Sequence, residues 1–302
     1  MKVFSAADLA VPSYGDYIEA LRHGFRGDVT APQRFVASTG PATTLLTMPA
    51  WDRYFTGIKT VTVKDDNAAL GLPLVQGSYL LINNKTGSPV AVMDGTELTR
   101  RRTAAASALA ADYLARKDAS TLLLVGAGAL AVHFAKAHGV VRPIKNVLVF
   151  NRTPEKAIAV ARQIGGEAVL DLATACAKAD IICGITSANG PVILGRHVKP
   201  GTHIDLVGAY KPEMRETDAE AVGMARVYVD TRAGADHEAG DLHCAALEGR
   251  FNWADIQGDL FELAQGKVQG RQSDDEVTLF KSSGTALEDL AAAKMVYLRS
   301  VT

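Results

Sequence analysis

The chain has few cysteines, no excess of charge of either sign and no long apolar run, and each shortage removes a class of protein. Its 3 cysteines, Cys176, Cys183 and Cys244, are odd in number and show no paired spacing. That argues against a disulfide framework and a zinc site, and reads as free thiols of a reducing compartment. The 7 histidines form no His-x-x-x-His arrangement, and the cysteines form no Cys-x-x-Cys, so no metal is expected. Lysine plus arginine (32) nearly balance aspartate plus glutamate (33), leaving a net charge of −1. Without a basic field, neither nucleic acid nor an anionic membrane is an expected partner. No apolar stretch reaches the ~20 residues needed to cross a bilayer. The start, Met-Lys-Val-Phe-Ser-Ala-Ala-Asp, turns polar too soon for a secretory signal, and a cytoplasmic setting is the expectation. Small molecules, or another copy of the chain, are left as partners.

What is present concentrates at residues 121–131, Thr-Leu-Leu-Leu-Val-Gly-Ala-Gly-Ala-Leu-Ala, an apolar strand running into a glycine-rich turn and then a helix former. Gly126 allows the tight turn, Gly128 lets backbone approach a pyrophosphate, and Ala131 keeps helix and strand close. The amides of Ala127, Gly128, Ala129 and Leu130 open the helix and face an anion there. A second strand, Asn146–Phe150, completes a strand-helix-strand unit of about the ~30 residues expected of a dinucleotide fold. Where an NAD-preferring chain places Asp or Glu, this one has Asn151-Arg152-Thr153. A guanidinium pairs with a 2′-phosphate that a carboxylate would repel, so NADP(H) is the preferred cofactor and NAD(H) the alternative.

At 302 residues the chain exceeds the usual size of one domain. Before Thr96, β-rich segments (Thr43–Met48, Tyr54–Val63, Ser78–Asn83, Pro89–Met93) and a helix over 15–26 predict mixed α+β structure, with a hairpin at Asn83–Gly87. An alanine-rich helix runs from Thr96 to about Arg116. Beyond it, strands at Ile181–Ile185, His203–Val207 and Arg226–Val229 alternate with helices, as a doubly wound parallel sheet requires. The fold class is therefore α/β: a Rossmann domain, 113–285, plus an α+β substrate-binding and dimerisation domain, 1–112 with the closing helix 286–302.

An anionic substrate of a nicotinamide enzyme needs fixed cations. Candidates are Arg34, Lys59 and Arg102; Lys59 stands out because it lies inside an apolar, β-branched strand, where a lysine needs a partner. Spacing alone does not choose among the three. Arg100, Arg101 and Arg102 cannot all face one site, since helix neighbours point about ~100° apart.

The chain resembles the ornithine cyclodeaminase/μ-crystallin family over nearly its full length. The resemblance is carried by Pro32-x-Arg34, Gly57–Val61, Leu98-Thr99-x-x-Arg102–Ala105, Gly126–Gly128, Val207–Glu216, Glu238–Asp241 and Phe280–Gly284. It implies a homodimer whose first domains join their sheets, and it implies that Arg34, Lys59 and Arg102 hold a substrate carboxylate, leaving Arg100 and Arg101 solvated. Thr186, Val207, Gly208, Ala209 and Ser282 complete the implied cofactor contacts, and Ser283 and Gly284 border the ring of the substrate. Cyclodeaminases carry an Asp two positions before the proline of the Gly-x-x-x-Pro segment; this chain has Tyr210 there. A phenol is a poor base at neutral pH, so amine removal is expected to be lost and reduction of a C=N bond retained. The resemblance thus implies a ketimine reductase acting on Δ1-pyrroline-2-carboxylate or Δ1-piperideine-2-carboxylate, in which Lys59 supplies or relays a proton. Thr43, Thr44 and Met48 are ring-pocket candidates, although their pattern fits a strand equally. The alternatives are a cyclodeaminase using Asp65, Asp66 or Asp205, an alanine-dehydrogenase-like enzyme, and an NADPH-dependent ligand carrier.

Overall fold

A computed structural model describes residues 1–64, 66–209 and 211–301. It divides into two compact units, Met1–Thr103 with Thr285–Thr302, and Ala104–Gly284.

The first unit is built on a six-stranded sheet. Its elements are β1 (Lys2–Phe4), α1 (Ala6–Leu9), α2 (Tyr14–Arg26), β2 (Phe35–Gly40), β3 (Thr43–Trp51), β4 (Phe55–Lys64), β5 (Val75–Asn83), β6 (Ser88–Asp94), the start of α3 (Gly95–Leu114), and the C-terminal helix Ala286–Arg299. The strand order is β1-β6-β5-β4-β3-β2, antiparallel except for the β1–β6 pair. A capping box starts α2, with Ser13 accepting from Asp16 N and the Asp16 carboxylate accepting from Ser13 N. Its apolar face, Tyr17, Ile18, Leu21 and Phe25, is buried. Gly24 allows the C-terminal helix to approach, since an added Cβ would lie 2.9 Å from Ala291 Cβ.

Alternation along β3 to β6 buries one face of the sheet: Met48, Ala50, Phe55, Gly57, Lys59, Tyr79, Leu81, Ala91 and Met93. Lys59 is the single charged member. Gly57 is required there, because a Cβ would sit 1.7 Å from the Tyr79 hydroxyl and 3.1 Å from Leu290 of the C-terminal helix.

The second unit carries an eight-stranded sheet in the order β13-β12-β14-β11-β10-β7-β8-β9, parallel throughout. Its strands are β7 (Thr121–Val125), β8 (Asn146–Phe150), β9 (Glu167–Ala168), β10 (Ile181–Gly184), β11 (His203–Leu206), β12 (Arg226–Val229), β13 (Gly258–Asp259) and β14 (Thr278–Lys281). The connecting helices are α4 (Ala131–Val141), α5 (Pro154–Ile164), α6 (Leu172–Lys178), α7 (Ala219–Met224), α8 (Arg232–Glu238), α9 (Gly240–Leu247) and α10 (Leu260–Ala264). Strands β7, after Thr121, and β10 read as unbroken apolar runs because both of their faces are buried; β11 is buried too but carries His203 and Asp205. The order reverses direction between β7 and β10, the position at which doubly wound sheets bind ligands. The expected α/β class with a doubly wound parallel sheet holds. Two strands of the first unit, β1 and β2, were not anticipated: one has three residues, and the other is a mostly exposed edge strand with no clean alternation. Among the described residues no helix is long and apolar enough to cross a membrane.

Candidate functional site

The turn after β7 has the geometry its glycines predict. Gly126 adopts φ +118°, and a Cβ there would lie 2.8 Å from the Ile185 carbonyl oxygen, so only glycine fits. At Gly128 a Cβ would meet nothing within 4 Å, which leaves open space above the loop amides. Ala131, buried at the start of α4, closes the helix onto the sheet. Asn151, just past β8, ties the turn down: its Oδ1 accepts from Ala127 N at 3.1 Å, and its Nδ2 donates to the Thr153 carbonyl at 3.0 Å.

These segments line a cavity of about 400 Å³. Gly126, Ala127, Gly128, Asn151, Arg152, Thr153 and Thr186 all border it, together with Lys156, Ser187, Ala188 and Val192, which sequence reasoning did not name. Among the described residues that line it there is no Asp or Glu. Ala129, Leu130, Val207, Gly208, Ala209 and Ser282 do not border this cavity. Ala129 and Leu130 form the turn that leads into α4, which starts at Ala131, two residues after the Ala129 expected from the sequence.

Glu216 holds the neighbouring loops, and it was quoted in a motif without a role. Its buried carboxylate accepts from Thr186 N (2.6 Å), Thr186 Oγ1 (2.9 Å) and Gly208 N (2.6 Å). Burial raises its carboxyl above the usual range, against the opposing pull of Lys281. Asp230 does similar work further on, accepting from Ser282 Oγ at 3.2 Å, Ser283 N at 2.7 Å and Gly284 N at 2.5 Å. Ser282, Ser283 and Gly284 are therefore fixed as one loop after β14.

In the first unit the charged candidates form a buried group. Lys59 Nζ lies 2.7 Å from Asp289 Oδ2. Arg102 donates from Nη1 to Glu288 Oε2 at 2.5 Å and from Nε to Asp289 Oδ1 at 3.0 Å. Lys59 is 2 % and Arg102 6 % exposed, while Glu288 and Asp289 are fully buried. Burial pulls the Lys59 ammonium down to about 8; Arg102 and Arg34 push the same way, and Asp289 opposes them. Arg34 is half-buried just before β2. Met48 stands opposite Lys59 across the β3–β4 ladder, whereas Thr43 and Thr44 pair with Lys64 and Val63 at the far end.

One residue was missed here, and one expectation needs correction. An acidic side chain does stand beside Lys59, namely Asp289, which none of the proposed alternatives supplied: Asp66 pairs with Lys64 at 2.6 Å, and Asp205 belongs to the second unit. Tyr210 and Asp65 lie outside the described residues. Arg101 is not solvated either; it pairs with Glu97 at 2.7 Å and covers the rings of Tyr14 and Tyr17. The sequence signal for Asp289 was faint, because acidic residues in a first helical turn ordinarily answer the helix dipole.

The fold also joins residues whose spacing gave no hint of a cluster. His138 Nε2, Cys183 Sγ and Asp205 Oδ2 lie within 4.8 Å of one another, all buried in the second unit. The Cys183 thiol donates to Asp205 at 3.6 Å, Ser107 Oγ donates to it at 3.2 Å, and His138 Nδ1 bonds the Phe134 carbonyl at 3.0 Å. Burial raises the Asp205 carboxyl to about 7 and lowers His138 to about 4.

A doubly wound sheet with a glycine turn and an acid-free cavity at its switch point defines a dinucleotide-binding class of protein, here with a separate unit that buries cations against carboxylates. The chain matches the profile of the ornithine cyclodeaminase/mu-crystallin family over residues 6–302, and it belongs to that family. It is 40% identical over 294 residues to a Δ1-pyrroline-2-carboxylate reductase of Paracoccus denitrificans, covering 94% of this chain and 92% of that one. Among solved structures it is similar to Thermococcus litoralis Δ1-pyrroline-2-carboxylate reductase in complex with NADH and L-proline (TM-score 0.94, 34% identity, 100% of this chain and 98% of that one). An archaeal alanine dehydrogenase dimer with bound NAD is also similar (TM-score 0.92, 30% identity, 100% and 96% covered).

Proposed function

We infer that this protein is an NAD(P)H-dependent oxidoreductase that reduces the C=N bond of a cyclic imino acid, Δ1-pyrroline-2-carboxylate or Δ1-piperideine-2-carboxylate, to L-proline or L-pipecolate. The observation that carries the reading is Lys59, a buried lysine whose ammonium is pulled down to about 8 next to Arg102 and Arg34. An ammonium of that acidity donates a proton near neutral pH while still offering positive charge to a carboxylate. Arg34 and Arg102 are assigned to the substrate carboxylate, and Lys59 to the carboxylate and the imine proton. Ser283 and Gly284, held by Asp230, are assigned to the border of the ring.

A nicotinamide dinucleotide fits the second unit, because the open space at Gly128 exposes backbone amides to a pyrophosphate. When bound in its reduced form, that cofactor supplies the hydride. Gly126, Ala127, Gly128, Ala129 and Leu130 are assigned to the pyrophosphate, and Asn151, Arg152 and Thr153 to the adenosine ribose. Thr186, Val207, Gly208, Ala209 and Ser282 are assigned to the remaining contacts. The preference for NADP(H) is supported by Arg152 and Lys156 on a cavity wall without a carboxylate. The division of labour follows: residues 1–112 with 286–302 bind substrate and dimerise, and 113–285 bind the dinucleotide. A homodimer is supported by β2, a sheet edge that exposes Phe35 (62 %) and Val36 (55 %). The proposed setting is the cytoplasm.

Asp289 beside Lys59 favours one second reading, a cyclodeaminase that takes its carboxylate from the C-terminal helix. One panel separates the readings: NADPH and NADH oxidation with both cyclic imino acids, with pyruvate plus ammonium, and ammonia release from ornithine or lysine with NAD⁺ or NADP⁺. Rapid oxidation with a cyclic imino acid alone is the expected result. Ammonia release exceeding imine reduction would replace the reductase with the cyclodeaminase.

A further inference from the structure

The segment 186–192 forms one wall of the cavity beside the glycine turn, through Thr186, Ser187, Ala188 and Val192. It belongs to no helix or strand, so something outside it must fix its shape. Glu216 holds both of its ends. At one end the carboxylate accepts from Thr186 N and Oγ1, and the Thr186 hydroxyl oxygen in turn accepts from Ala188 N at 3.2 Å. At the other, the Glu216 backbone carbonyl accepts from Val192 N (2.8 Å) and Ile193 N (2.9 Å).

The second carboxylate oxygen reaches Gly208 N, so one side chain spans the loops after β10 and β11. Those loops pass so closely that a Cβ at Gly208 would sit 1.8 Å from the Thr186 carbonyl oxygen. Glu216 is itself anchored: its N–H and that of Thr217 donate to Asp241 Oδ1 at 2.6 Å and 2.9 Å, and Asp241 pairs with Lys281 at 3.1 Å. All three acceptor contacts of the carboxylate are to donors, an arrangement that only an ionised carboxylate satisfies in full.

We propose that Glu216 is a positioning residue for the nicotinamide cofactor: its carboxylate fixes the Thr186–Ala188 wall of the cavity to the loop after β11, and thereby sets cofactor affinity and not the chemical step. The proposal rests on the reading of the second unit as the dinucleotide site. Glu216→Gln keeps the shape and the backbone grip on Val192, but turns an amide N–H₂ toward either Gly208 N or the Thr186 donors. Glu216→Asp keeps the charge and is one methylene too short to span both loops.

The test is titration of NADPH and NADH into the wild type and both variants by nucleotide fluorescence, with kcat and the imino-acid KM measured at saturating cofactor and Tm measured on the apo protein. Losing one charge-assisted bond predicts a cofactor Kd raised about tenfold or more in each folded variant, with the imino-acid KM and kcat within about twofold of wild type. A cofactor Kd within about twofold of wild type in either folded variant overturns the proposal, whatever happens to Tm. A wild type that binds neither nucleotide overturns the dinucleotide reading instead.

Discussion

On the proposed reading, the two units recognise an anion in opposite ways. In the second unit the work falls to backbone: a glycine at φ +118°, amides at a helix start, and a buried glutamate that keeps a loop in place. In the first unit it falls to charged side chains sunk into an apolar sheet face, with Lys59 and Arg102 neutralised by Asp289 and Glu288. A backbone site costs little to keep ready, because its amides are ordinary parts of the fold. A buried cation must be held by carboxylates until a substrate anion arrives, since an uncompensated charge there would cost several kcal/mol. Asp289 also tunes the acidity of Lys59, which the backbone site cannot do.

Breaking the charged site should have the largest effect. Lys59→Met keeps the length of the side chain and removes the ammonium, and it should lower kcat/KM for the imino acid by about a thousandfold, within the range ascribed to a positioned acid. For the wild type, kcat/KM should fall as pH rises through about 8, because the Lys59 proton is lost there. Asp289 raises that value, so Asp289→Asn should move the break to lower pH. A flat profile up to pH 10 would show that Lys59 neither donates the proton nor binds as a cation.

A smaller effect is expected at the backbone site, where one side chain adds to many amides. Arg152→Ala should raise the KM for NADPH about tenfold through the loss of a charge-assisted pair and leave the KM for NADH nearly unchanged. Equal changes for both nucleotides would remove the 2′-phosphate from the account.

The smallest effect concerns stability and lies in the cluster of His138, Cys183 and Asp205. The folded Asp205 carboxyl is raised to about 7 from 3.8, so between those values the folded state holds a proton that the unfolded chain has released, and stability falls as pH rises. His138 is lowered to about 4 from 6.5, so over that window the unfolded chain holds the extra proton and stability rises with pH. The two terms oppose each other from about pH 4 to 6.5. Asp205→Asn removes one of them, and its Tm should climb by about 3 °C or more relative to that of the wild type across this range. A parallel pH profile in the two proteins would contradict the opposing shifts.

The same contrast explains what could be read in advance. The glycine turn and its partner Asn151 are 24 residues apart at the contact with Ala127, inside one strand-helix-strand unit, and each of their signals is local. Strands β3 to β6 were legible because alternation along each one marks its buried face. Lys59 announced a missing partner, but its partner could not be named: Arg102 is 187 residues from Asp289 and 186 from Glu288. Glu216 was hidden for a related reason, since nothing in a turn sequence says which backbone amides a carboxylate will meet.

By itself the sequence determined the class of fold, the glycine turn, the basic end of the second dinucleotide strand and the oddity of a lysine in an apolar strand. These follow from backbone sterics and from periodicity over a few residues. Only the tertiary structure decided that Asp289 and Glu288 hold the cations, that Glu216 clamps the cavity loop, and that His138, Cys183 and Asp205 share one buried space. The energy of a buried charge or hydrogen bond depends on what lies within a few ångströms, and packing brings residues that close regardless of their separation along the chain.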